Sequence, residues 1–333
     1  MVCGWAVGRL RPGLVAAVML AGAGLNALAA SSDTLAQASA ALQAGEADKA
    51  LGLLSSLPSS GPGAAEVHNL VCRVRMTLEQ WDAAADECDQ AVKLDAQNSD
   101  YHLWLGRAEG QKASRAAWMK AFALAKQTRA EFEQAVQLNP RSAEALSDLG
   151  DFYRQAPGVV GGGVDKAQQI AAQLDKLSAA RAAVLRGQIA EQQKDYAGAE
   201  DQYKKAVAAD PHPAGSWTSL ASFYARRKQL PEMESAIHSA VSAAQKDRHS
   251  SVALFDSAGL LTENKRDPQL AATLLEQYLA SATKSEEAPA FVAHLRLARL
   301  KLQLGDGAGA ARERAAALAL AHDYKPAVEF KAG

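Results

Sequence analysis

Aromatic residues make up only 6% of the 333-residue chain, and β-branched side chains are sparse as well. Sheet cores draw on those residue types, so their scarcity argues against a β protein. Alanine is abundant in their place. It loses no side-chain entropy in a helix and lets helices approach closely, which makes all-α the expected class. Charge of one sign is lacking too: 36 basic against 37 acidic side chains leave a net charge of −1, so no bulk attraction to nucleic acid or anionic lipid is expected. The 48% hydrophobic content is enough to bury a large apolar surface in a soluble chain.

The patterns that carry chemistry are also missing. His68, His102, His212, His238, His249, His294 and His322 are scattered, with no His-x-x-x-His spacing to put two imidazoles on one helical turn. There is no Cys-x-x-Cys pair, no Gly-x-Ser-x-Gly elbow and no coherent set of nucleophile, base and orienting group. The sequence therefore assigns no metal, no cofactor and no catalytic residue, and the chain is read as a non-enzyme. The glycine-rich stretch 156–163 is not a phosphate-binding loop, because Asp165-Lys166-Ala167 follows it where Gly-Lys-Ser/Thr is required. It reads as an elongated connection within a helical hairpin. A lip contacting a partner is the alternative for it.

Arg9 and Arg11, the uncharged apolar run from Leu14 to Leu25, and Ala27-Leu28-Ala29 have the layout of a secretory signal peptide over residues 1–29, with cleavage expected after Ala29. The alternative is an uncleaved membrane anchor, since no charge occurs between Pro12 and Ser32. Export to the periplasm or cell envelope follows from the first reading. A membrane partner follows only from the second.

A repeat runs through the rest of the chain. Ala-Val closes an amphipathic stretch at Ala91-Val92, Ala135-Val136, Ala206-Val207 and Ala240-Val241, and the last two are 34 residues apart. Polar or proline-containing terminators follow three of them, at Leu94-Asp95, Leu138-Asn139-Pro140 and Ala209-Asp210-Pro211. Each unit reads as two short helices. The clearest first helix spans Trp217 to Tyr224; its second helix carries Met233, Ile237 and Ala240 at helical spacing. The outline recurs in Leu146, Leu149, Gly150 and Tyr153.

Trp217, Leu220, Ala221 and Tyr224, with Ala199, Tyr203 and Ala206 in a neighbouring unit, resemble the tetratricopeptide repeat, and among its members the exported bacterial proteins of undefined activity. The resemblance covers residues 30–333 as about eight units, interrupted near 111–126 and 156–163. It implies a right-handed α-solenoid of stacked helix-turn-helix hairpins, in which each unit is stabilised by its neighbours. The degenerate first unit, Leu35 to Leu57, then reads as a cap. Full packing of the Trp217 ring would make Trp217→Ala cost about 3–5 kcal/mol. In the first interruption Lys112, Arg115, Lys120, Lys126 and Arg129 are read as a solvated face, and Trp118 and Phe122 as packed on the neighbouring unit.

The repeat register also places candidate contacts. First helices of such solenoids line a concave groove, which puts Asn69, Arg73, Arg107, Asp151, Arg154, Gln188, Thr218, Ser222 and Asp256 along it. The implied partner is a protein or peptide segment, with Arg73, Arg107 and Arg154 as anchors for carboxylates. Asn69 and Arg73 lack the lysines of the clamp by which some relatives hold a C-terminal carboxylate. An enzymatic site near Asp151 and Asp256 is disfavoured, since three units separate them. Cys72 and Cys88 fall on facing positions of one hairpin, as a disulfide or as two buried thiols. The reading is a scaffold of the cell envelope; the alternative is a membrane-tethered assembly factor.

Overall fold

Alanine-rich stretches with apolar residues three and four apart fold as helices that have one face to bury, and each pairs with the next in sequence. The computed structural model describes residues 31–247 and 249–331, in which no strand occurs. The signal-peptide or anchor segment lies outside those residues. Eight helix pairs follow one another. They are α1 (31–44) with α2 (Ala47–Ser55), α3 (Ala64–Thr77) with α4 (Trp81–Leu94), α5 (Ser99–Ala113) with α6 (Trp118–Leu138), and α7 (Ala143–Gln155) with α8 (Val164–Leu174). Next come α9 (Ala179–Gln192) with α10 (Tyr196–Ala209), α11 (Ala214–Arg226) with α12 (Leu230–Lys246), α13 (Val252–Glu263) with α14 (Pro268–Ala280), and α15 (Ala290–Gln303) with α16 (Gly307–Leu320). A short α17 (Lys325–Glu329) ends the description.

Six hairpins turn through a residue in the left-handed region: Gly45, Glu79, Lys194, Lys228, Lys265 and Gly305. One such residue stops the first helix and frees its last carbonyls to accept from the turn, as Gly45 and Glu46 donate to Leu42 and Ala41. The two remaining hairpins carry the interruptions. The segment near 111–126 is mostly absorbed as helix, making α6 21 residues long where α4 and α10 have 14. Residues 156–163 form the connection between α7 and α8 and include a single 3-10 turn, Gly158–Val160.

The array closes on itself. Leu35, Leu42, Val67 and Leu70 of the first three helices share one buried cluster with Phe291 and Leu295 of α15, Ala317 of α16, and Tyr324 beyond it. The Phe291 and Tyr324 ring centroids lie 4.9 Å apart. Polar contacts run along the same seam. Gln43 donates to Glu286 at 2.9 Å, Gln80 to Asp323 at 2.8 Å, and the Tyr324 hydroxyl to Glu79 at 3.1 Å. The backbone N–H of His322 donates to Asp48 at 2.9 Å. An open solenoid leaves an apolar face at each end that a polar terminal unit has to cover. Here each end covers the other, so Leu35 to Leu57 is not a cap: its apolar side chains are the mating surface for the last units.

Within the ring, Tyr203 and Phe223 are nearly inaccessible, with centroids 5.3 Å apart, while Trp217 is only half-buried at the edge of the same cluster. The large penalty that full packing of Trp217 would bring therefore does not apply. Trp217→Ala is expected to lower unfolding free energy by about 1–2 kcal/mol, below the full-burial range. Urea unfolding measures it.

Candidate functional site

The first helices of successive hairpins line the inner face. Ser147, Asp148, Asp151, Arg181, Gln188 and Ser219 bound one cavity of about 520 Å³. Ser219, Ser222, Asp256, Glu263, Glu287 and Arg296 bound the next, of about 500 Å³. Ser219 lines both, so the two adjoin along the inner face, an inner channel bounded by α7, α9, α11, α13 and α15.

The structure sorts the residues that the register placed here. Asp151, Gln188, Ser222 and Asp256 face the channel. Thr218 reaches its wall but is buried, its hydroxyl donating to the Gly215 carbonyl at 2.8 Å within its own helix. Asn69 is only 4% exposed, so it is not an open groove position. The three arginines are engaged by acids of this chain. Arg107 Nε donates to Asp148 at 2.6 Å and its terminal nitrogen to Glu144 at 2.7 Å. Arg154 donates to Asp151 one turn earlier at 3.1 Å. Arg73 grips both oxygens of Glu286, the Nε contact being 3.0 Å, and so anchors the seam. A partner carboxylate would have to displace these acids, which removes the reason for treating the arginines as free anchors.

Two members of this network were not legible beforehand. The Trp104 ring lies 5.0 Å from the Arg73 guanidinium and 4.6 Å from that of Arg107, linking α3 to α5 through cation–π contact. Its position three residues before Arg107, on the same helix face, is the signal that was available. Glu286 gave none, because it sits in the connection before α15 and meets Arg73 only through ring closure.

Acidic groups dominate the far end of the channel. Asp256 keeps solvent contact but is crowded by the ring wall, and this burial pushes its carboxyl up to about 6; Arg296 opposes the shift and Glu287 adds to it. Burial likewise raises the Asp148 carboxyl, against the pull of Arg107.

A second concavity, of about 850 Å³, lies between the two interruptions. Trp118 at the start of α6 and Val159 in the 156–163 connection stand 80% and 69% exposed at its lip. Trp118 is therefore not packed on a neighbouring unit. Only Phe122 is partly covered, with the Lys126 ammonium 4.5 Å from its ring centroid. The disulfide joins Cys72 of α3 to Cys88 of α4, with Cα atoms 5.3 Å apart and both residues fully buried.

Comparison with known proteins places the repeat. Residues 161–214 match the family model described as tetratricopeptide repeat. A 122-residue stretch is 30% identical to the mouse (Mus musculus) Superkiller complex protein 3, covering 37% of this chain and 8% of that protein's length. Among solved structures, a thermophilic tetratricopeptide repeat protein of Thermus thermophilus is 20% identical, with a TM-score of 0.47, over 58% of this chain and 98% of that one. A tetratricopeptide repeat protein from Parabacteroides merdae is 12% identical, with a TM-score of 0.45, over 82% of this chain and 98% of its own.

Proposed function

From the premise that this chain is a tetratricopeptide-repeat protein, a family whose repeats generally mediate protein–protein interaction, we propose that it is a non-catalytic scaffold holding a protein or peptide segment in the inner channel. The observation that carries the reading is the adjacency of two cavities along that inner face, lined by successive first helices and built of spaced polar groups. Spaced hydrogen-bonding and charged positions suit an extended segment. At this end Asp256, Glu263 and Glu287 outnumber the one arginine, Arg296, so an excess of negative charge is left and the segment presents a lysine or arginine there. We place the scaffold in the cell envelope. The signal-peptide pattern supports this, and so does a disulfide, which persists in oxidising compartments.

Affinity capture from the native envelope, with Asp256→Lys and Gln188→Trp as a combined blocking control, tests the channel. A partner held by the unaltered chain and lost from the control supports the reading. A partner held equally by both, or no specific partner, removes the channel from the site. Capture should also weaken as pH falls through about 6, because Asp256 then gains a proton and loses the charge that attracts a cation.

The same carboxyl affects stability. Its folded-state pKa lies above the ordinary carboxylate value, so the folded chain holds the proton more tightly than the unfolded one. The stability contributed by that preference is fully present well below the ordinary value and is lost as pH rises through about 6. Asp256→Asn is expected to stabilise the chain at pH 7.5 by on the order of 1 kcal/mol, discounted for solvent contact, and not at pH 3.5. Urea midpoints at the two pH values check this.

A further inference from the structure

The concavity between the two interruptions has features that its use as hairpin packing does not explain. Along α6, Trp118, Ala121, Phe122, Ala125, Thr128 and Phe132 line it at helical spacing. Thr128 and Phe132 are buried against Gly110 and Gly106 of α5, and the open part, Trp118 to Ala125, covers about 10 Å at 1.5 Å per residue. Such a stripe is the seam by which one helix receives another. α5 walls it as far as Ala113, α7 through Phe152 and Gln155, and the connection carrying Val159 and Val160 closes the far side. The Thr128 hydroxyl, on a residue 3% exposed, has no hydrogen-bond partner among the described residues. Trp118 and Val159 stand out at the rim, and a compound filling only the cavity would leave them in water. A longer occupant that lies along the stripe covers them.

Charge narrows the occupant further. Residues 112–129 hold Lys112, Arg115, Lys120, Lys126 and Arg129 and no acid, in a chain whose net charge is −1. Lys112 is paired with Asp82 at 3.5 Å, and Arg115 lies against Trp81, but Lys126 is exposed beside the groove, its ammonium 4.5 Å from the Phe122 ring centroid. The two acids in the lining, Asp148 and Asp151, are matched by Arg107 and Arg154.

We propose that this groove is a second docking site, separate in chemistry from the inner channel, and that it takes an amphipathic helix with a row of large apolar side chains flanked by Asp or Glu. Apolar side chains enter between α6 and the 156–163 connection, and a flanking acid meets Lys126. A concave slot with a row of anchoring positions favours a helix over a flat lipid surface, which would touch only the lip.

The test is selection from a displayed library of random 16-residue peptides on the purified chain, with Trp118→Ser/Val159→Ser for counter-selection. Both substituted side chains are exposed, so folding is retained, and circular dichroism checks it. Enriched peptides should carry apolar residues at i, i+3 or i+4 and i+7 with interspersed acids. They should bind the double variant at least tenfold more weakly and weaken several-fold with Lys126→Glu. Asp256→Lys should leave them unaffected, so failure of this site and failure of the channel are distinguishable. No enrichment over the double variant, or enriched peptides without acids, would overturn the proposal. Co-sedimentation with phosphatidylglycerol vesicles lost on Trp118→Ser would assign the lip to a lipid surface instead. A concentration-dependent dimer abolished by the same change would assign the groove to a second copy.

Discussion

Gly45→Val is expected to part the two ends of the ring while leaving the helices intact. Gly45 turns α1 into α2 at φ +73°, and a Cβ built on it would lie 2.2 Å from the Ala290 amide nitrogen and 3.0 Å from the Pro289 carbonyl carbon. Both obstacles are backbone, so no side-chain rotation relieves the overlap. The left-handed conformation itself costs about 1–2 kcal/mol in a non-glycine residue. Gly305→Val isolates that cost, because Gly305 holds the matching turn between α15 and α16 at φ +87° with nothing within 4 Å of the added carbon. The two variants should therefore share the backbone penalty and differ in the seam. Small-angle scattering should give a larger radius of gyration for Gly45→Val and an unchanged one for Gly305→Val, with equal helical circular dichroism. Gly45→Val should also lose several kcal/mol more in unfolding, since large apolar side chains such as Phe291 and Tyr324 then meet water at about 1.5–3 kcal/mol each. An unchanged radius would mean that the seam accommodates the side chain by local shift. The result bears on function as well: a closed ring admits a segment only by threading or by opening, so a parted ring should take up a channel partner faster.

What was legible in the sequence divides along the distance over which each contact acts. Helix class, pairing and repeat spacing follow from local periodicity, and they show in Leu220, Tyr224, Tyr203 and Ala206, all of which are buried as the pattern requires. The inner-face register worked for Gln188, Ser222 and Asp256, because helix geometry carries a face from one unit to the next. It failed for Asn69, which is buried, while Thr218 reaches the wall with its hydroxyl already bonded inside its own helix. Ring closure was not legible at all. The residues that make it, Gln43, Arg73, Glu286 and Phe291, are ordinary in their own helices and connections. Their meeting depends on small rotations summed over eight units, which no single motif encodes. The exposed groove was hidden differently: Trp118 and Phe122 have a spacing that suits intramolecular packing as well as a docking seam, and only the length of α6 separates the two.

Loss of the Cys72–Cys88 bridge is expected to lower unfolding free energy by about 2–3 kcal/mol. The two residues are separated by 16 positions, and closing a loop of that size in the unfolded chain corresponds to about 3 kcal/mol on the chain-entropy estimate. The cysteines pack with Ala84, Ala85, Leu105 and Ala108 in a small cluster of their own, with no aromatic residue among its buried members, so this part of the ring has less apolar burial than the units around Tyr203. The staple also lies next to Arg73, whose grip on Glu286 crosses the seam. Reduction should therefore do more than lengthen a loop: freedom gained between α3 and α4 loosens the arginine that ties the first units to the last. Denaturant unfolding of the oxidised chain, the reduced chain and the Cys72→Ala/Cys88→Ala variant separates these contributions, and scattering on the reduced chain reads the seam directly. Alkylation of the protein purified without reductant, under nonreducing denaturation, should add nothing at either position, and two adducts would exclude the bridge. If the midpoint falls on reduction and the radius rises with it, the oxidising compartment supplies part of what holds the ring closed, and a chain kept in a reducing one is the more open form.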